Sequence, residues 1–175
     1  MEFPYLEINL TTIAIKSAEK EKENVAFLQH LKELNSHELD ASVHVLNTLF
    51  TTAIDCTQCG NCCKSLMIGL NTTEADAAAG FLAISRENFD DAYVEKSLSG
   101  KMLMSAIPCY FLADNKCTIY EHRFAGCREF PALHLPEVQN RLFTIFMHYD
   151  RCPIIYNVME ALKTEVHFET PVVSN

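Results

Sequence analysis

The sequence predicts a mainly α-helical, single compact domain whose helices surround a cysteine-rich loop core, with room for a short strand pair. Three observations predict it. Apolar residues recur at helical spacing before residue 52 and again near the C-terminus. Capping residues stand at the head of most of those stretches. All eight cysteines of the 175 residues follow position 55, in a region too rich in turns for long helices. The expected organisation is one domain over 1–175, with an N-terminal helical part at 1–55 and a cysteine-cluster part at 56–165.

Length and composition agree with a folded unit. A chain of this size buries roughly 70% of its unfolded surface. With 49% hydrophobic and 21% charged residues it is no disordered segment. The net charge of −9 argues against a nucleic-acid backbone as partner, which calls for a basic face. No apolar run nears the ~18 residues of a membrane span, so no membrane partner is expected. The opening MEFPYLEINLTTIAIK carries Glu2 and Glu7 where a signal peptide would carry Lys or Arg. A cytoplasmic location is therefore the expectation, and clustered thiols in that reducing compartment point to metal ligands rather than structural disulfides.

Element by element, Phe3, Tyr5, Ile8, Leu10, Ile13 and Ile15 alternate loosely, as an extended lead or the approach to a helix. Ser17 to about Leu34 is helical, with Val25, Leu28 and Leu31 on one side and the mixed charges of Glu19–Glu23 as a solvated face. Asn35 with Glu38 suits a new N-terminus. The helix that follows reaches about Thr52 with Leu39, Val43, Leu46 and Phe50 as its core stripe. His30, His37 and His44 recur every seven residues and are assigned no role. Thr72 or Thr73 can cap a helix through Ile84, and Ser85 or Asn88 another to Leu98, stopped at Gly100. Short elements fill Pro108–Pro136. Leu142–Met147 is a β-branched and aromatic run of strand character. Pro153 suits the first turn of a last helix, Ile154–Thr164, and an extended or frayed tail follows from Glu165.

The segment Cys56-Thr-Gln-Cys59-Gly60-Asn-Cys62-Cys63 is the most informative. Cysteines two residues apart can point into one coordination sphere, and Gly60 supplies the backbone freedom of such a knuckle. Cys56, Cys59 and Cys62 are thus three ligands in tight register. Cys63 either packs as a small apolar group or serves a second metal, because adjacent side chains usually diverge. Cys109, Cys117, Cys127 and Cys152 are too widely spaced to form a site alone and could fold over the knuckle. Eight thiols suffice for two four-coordinate sites or for one [4Fe-4S] cluster with thiols to spare. Zinc and iron both stay open, since tetrahedral sulfur accepts either. Arg123 and Arg128 could offset thiolate charge, with Glu121 pairing to one of them, or all three could be an ordinary surface salt-bridge set. A redox pair lacks a surrounding βαβ pattern, and a cysteine nucleophile partnered by His122, His134 or His148 lacks any local signature.

Cys-x2-Cys-Gly-x-Cys-Cys, Pro-Cys-x-Phe-Leu, Cys-x-Ile-Tyr-Glu-x-Arg, Cys-Arg-x-Phe-Pro and a late Cys-Pro before a helix together resemble the YkgJ-like cysteine-cluster proteins. These are described as candidate zinc- or iron-chelating domains of the CxxCxxCC type. The resemblance spans Cys56 to about Leu162 and implies metal binding through Cys56, Cys59, Cys62, Cys63, Cys109, Cys117, Cys127 and Cys152. Phe124 and Tyr110 stand where that family usually has proline. A related cysteine pattern is similar to that of flagellin lysine methylases, which implies an alternative: a metal- or cluster-dependent enzyme that modifies proteins or peptides. The chain has neither a Gly-rich nucleotide loop nor the Cys-x3-Cys-x2-Cys spacing of radical enzymes.

Overall fold

Helix α1 (Leu10–Glu19) begins where the Asn9 side chain accepts the amide of Thr12 at 3.0 Å. This and all that follows comes from a computed structural model that describes residues 6–170. Phe3 and Tyr5 lie outside the described residues. The single helix expected across 17–34 is two, because the backbone breaks at Lys20 and re-enters as α2 (Glu21–Glu33). The break re-phases the inward face. Asn24, Phe27 and Leu31 are buried, whereas Val25 is 61% exposed. Asn35 caps α3 (Ser36–Ala53) as expected, its side chain accepting from the amides of His37 and Glu38. Leu39, Val43, Leu46 and Phe50 are all buried, as their spacing predicts.

These helices pack with the far end of the chain, so that 6–55 and 131–170 make one compact unit. Its later elements are a 3-10 turn (Val138–Arg141), a short helix and the long C-terminal helix. The strand expected at Leu142–Met147 is helical over Leu142–Phe146. Leu142, Ile145 and Tyr149 are buried while Phe143 is exposed, a three-to-four-residue period that tertiary packing rewards over the β propensity of the run. Pro153 opens the last helix, Pro153–Glu165, as expected. The tail does not simply fray at Glu165: Phe168 donates its amide to the Lys163 carbonyl at 2.9 Å and its ring stands 4.9 Å from that of Phe27.

A polar cluster lies inside this unit. The Lys163 ammonium donates to Glu23, Asn24 and Glu160 at 2.6–2.7 Å and stands over the Phe27 and Tyr149 rings. Tyr149 and Lys20 also donate to Glu160. Every strong partner of this buried cation is thereby satisfied.

Residues 56–130 form the second compact unit. It opens with two helical turns, α4 (Cys56–Cys59) and α5 (Asn61–Ser65), where a loop is expected. A three-stranded antiparallel sheet has the order β1 (Gly69–Leu70), β3 (Met102–Met104), β2 (Val94–Lys96). Helices α6 (Thr72–Phe81) and α7 (Arg86–Tyr93) stand between its strands in the chain. The cap of α6 is Asn71 rather than Thr72 or Thr73, because Asn71 and Glu74 exchange side-chain-to-backbone bonds of 3.0 Å in a capping box. Ser85 caps α7 as expected, but the helix stops at Tyr93. Val94–Lys96 pairs with β3, and Gly100 at φ +76° closes the connecting turn instead of a helix end. A two-residue hairpin, β4 (Leu112–Ala113) with β5 (Lys116–Cys117), a 3-10 turn (Tyr120–His122) and α8 (Ala125–Glu129) complete the unit. Its core is Leu70, Ala75, Ala78, Phe89, Met104, Phe111, Ile119 and Phe124, with Cys109, Cys117 and Cys127 packed against it. The mainly α class therefore holds, with small antiparallel pairs. No helix among the described residues is long and apolar enough to cross a membrane.

Candidate metal centre

The centre is built where the two-turn knuckle meets the β4–β5 hairpin. Gly60 joins α4 to α5 at φ +59°, and a Cβ there would lie 2.7 Å from the Asn115 carbonyl oxygen. Only glycine meets both demands. The hairpin brings Asn115 to that spot because Asp114 and Asn115 both adopt positive φ, the conformation of a tight two-residue turn. Lys64 extends from α5 and donates to Asn115 Oδ1 at 2.6 Å. The Cys109 amide donates to the Cys63 carbonyl at 2.8 Å, which draws the strand-side cysteines to the knuckle. Cys117 sits on β5 opposite Leu112. Cys127 lies in α8, one helical turn beyond buried Phe124, which takes the place of the usual proline as the residue before that helix. Tyr110, at the other departure from the family pattern, is half exposed and meets the Tyr93 ring edge-on at 5.3 Å.

Seven of the eight expected ligands thus stand in the 56–130 unit, and no disulfide forms among the described residues. Cys56 is exposed and Cys59 half-buried. Cys152 is buried in the other unit, where it precedes Pro153 and accepts the Tyr156 amide on its carbonyl at 2.9 Å. Cys62 and Cys63 do not diverge. A single residue step in the helix offsets them by about 100°, and their side chains meet in a hydrogen bond.

Electrostatics show which thiols lie together. The hydrogen bond from Cys63 holds Cys62 below the ordinary thiol value, aided by the Cys63 and Cys62 amides and by the Arg123 charge, against the upward push of burial. Cys63 is driven far up by that same bond, by burial and by charge on Cys62, Cys109 and Cys117. Burial, then charge on Cys117 and Cys62, raises Cys109. Burial also raises Cys117, against the Ile119 amide and Arg123. Cys127 is pushed up to about 12, by burial first and then by charge on Cys109, Cys62 and Cys117. Cys62, Cys109 and Cys117 therefore lie within one another's field, and Cys63 and Cys127 each feel all three. Among the described residues no three Cys, His, Asp or Glu side chains are drawn tightly enough to hold an ion as they stand.

The donor set nevertheless fits a thiophilic cation. Half-buried thiols whose ionisation is opposed mainly by burial and by their neighbours' charge are groups that a metal ion relieves of both penalties. Glu121 forms no ion pair among the described residues, and Arg123 instead stacks on the Tyr120 ring, its guanidinium carbon 3.8 Å from the centroid. Sequence reasoning missed Asn115, Lys64 and the double use of Glu74, whose second oxygen accepts the Ala125 amide at 2.5 Å. The Asp114-Asn115 pair was a signal for the hairpin. Nothing local signals the other two.

Fold and site together define a mainly helical chain with cysteines gathered about a knuckle and a hairpin. The match is specific: residues 55–153 fit the family model CxxCxxCC, a putative zinc- or iron-chelating domain in that family's own description. More than half of the chain is covered, and the chain belongs to the CxxCxxCC family. No curated protein and no solved structure matches it.

Proposed function

We propose that this protein is a cytoplasmic metal-binding protein that holds zinc or an iron–sulfur cluster through the cysteines of residues 56–130. Cys62, Cys63, Cys109, Cys117 and Cys127 are the central donors, with Cys56 and Cys59 on the knuckle as further candidates. The observation that carries this is that Cys62, Cys63, Cys109, Cys117 and Cys127, from four separate stretches of the chain, gather about the knuckle and the hairpin. Bound zinc would cross-link those elements, whereas an iron–sulfur cluster would add a redox couple. The chain's own residues position the sulfurs: Gly60 and Asn115 set the knuckle against the hairpin, and the Cys63 carbonyl receives Cys109.

Elemental analysis of anaerobically purified, untagged protein tests the reading. Stoichiometric zinc without colour, or iron with the visible absorption of a cluster, is expected, and the double variant C62A/C117A should lose it. Protein that neither carries nor takes up either metal disproves the proposal.

A further inference from the structure

A groove opens at one end of the three-stranded sheet, within residues 56–130. The β1–β3 ladder pairs Gly69 with Leu103 and Leu70 with Met102, and two further rungs would join Asn71 to Lys101 and Thr72 to Gly100. Those rungs do not form, because the chain leaves Asn71 as helix α6 while Gly100, at φ +76°, turns back toward β2. The two backbones part around a space of about 660 Å³. Leu70, Met102 and Leu103 supply its apolar wall, and Thr72, Lys96 and Lys101 its polar one. Lys101 forms no ion pair among the described residues. Lys96 reaches only Asp90, at 4.0 Å, and Arg86 already holds that carboxylate at 2.7 Å. Glu74 also lines the groove, but both its oxygens are engaged, one by the Asn71 amide at 3.0 Å and the other by the Ala125 amide at 2.5 Å. The groove therefore offers two ammonium groups whose charge no close carboxylate answers, next to an apolar wall.

We propose that this groove binds a small organic phosphate monoester, with the phosphate between Lys96 and Lys101 and the organic part against Leu70, Met102 and Leu103. Two ammonium groups favour a dianion over a carboxylate of single charge, and lysine serves phosphate as a point charge, without the planar fork of arginine. The Thr72 hydroxyl, which makes no hydrogen bond among the described residues, adds a donor on the same wall. An ester that also covers the apolar wall gains from burial what inorganic phosphate cannot. No cysteine lines the groove, so the proposal stands apart from the metal reading.

The test is titration of the full chain at constant ionic strength with phenyl phosphate, inorganic phosphate and benzoate, followed by the amide chemical shifts of Thr72, Gly100 and Lys101. Phenyl phosphate should shift these amides saturably and bind more tightly than either of the other two. K96Q and K101Q should each weaken it about two- to fivefold, the range of an exposed charge pair. Lys96 is 64% exposed and Lys101 is exposed, so neither substitution disturbs a core. K116Q, on β5 and outside the groove, should match the wild type. Binding should also weaken below pH ~6, where a phosphate monoester takes up its second proton. No saturable shift at the three amides, or shifts confined to the cysteine segments, would overturn the proposal. So would benzoate or inorganic phosphate binding as tightly as phenyl phosphate, or affinity unchanged in both K96Q and K101Q.

Discussion

Gly60 shows how a single residue constrains the centre. A side chain there meets two separate penalties, the left-handed backbone at φ +59° and a contact 2.7 Å from the Asn115 carbonyl. Gly100 meets only one, since φ is +76° but nothing lies within 4 Å of a Cβ. The pair makes an internal control. G100A should cost about 1 kcal/mol from backbone strain, whereas G60A should cost about 3 kcal/mol because the hairpin must also yield. Urea denaturation of both variants checks this, and equal losses would show that Asn115 does not press on the knuckle. Cys62 and Cys63 illustrate the same scale differently. Their adjacency predicts divergence, yet the short helix entered from Gly60 lets the two sulfurs meet.

At the scale of elements, caps and charge clusters carry more than their own helices. Glu74 closes the box at the start of α6 and also accepts the Ala125 amide at the head of α8. N71A removes one cap bond and should cost about 1 kcal/mol. E74A frees two amides and should cost about 2–3 kcal/mol, so thermal unfolding of the two variants should rank them in that order. In the helical unit, burial alone would raise the Glu160 carboxyl. The hydrogen bonds from Lys163, Lys20 and Tyr149 outweigh it and hold the group below its ordinary value of 4.5. The folded state then binds protons less readily than the unfolded one, so this stabilisation is complete above that value and lost as pH falls through the folded one. E160Q should be less stable than wild type near neutrality, and the gap should close in acid. A gap independent of pH between neutrality and strong acid would contradict the assignment.

For the whole molecule, the two units differ in what holds them. Residues 6–55 with 131–170 bury long aliphatic and aromatic stripes, Phe27, Leu31, Val43, Ile155 and Met159 among them. Residues 56–130 rely on helices of four to ten residues and strands of two or three. Such elements are too short to be stable alone. Metal removal should therefore loosen 56–130 selectively. Hydrogen exchange before and after chelation is expected to show faster exchange at Leu66, Cys109 and Thr118, with α3 and the Pro153–Glu165 helix unchanged. Uniform protection in both states would mean that the thiols carry no folding energy.

The amino-acid sequence by itself determined the helical class, the Asn35 and Pro153 helix starts, the α3 stripe and the cysteine pattern of the family. Each depends on residues close together in the chain, where capping geometry and a 3.6-residue period act locally. Only the tertiary structure decided that Leu142–Phe146 is helical, that the inward face of α2 runs through Phe27, and that Gly100 turns a hairpin. It alone brought Cys62, Cys63, Cys109, Cys117 and Cys127 together about the knuckle and laid Arg123 on the Tyr120 ring. Those outcomes depend on partners tens of residues away, and burial against such partners outweighs the few tenths of a kcal/mol by which one residue's propensity favours helix or strand.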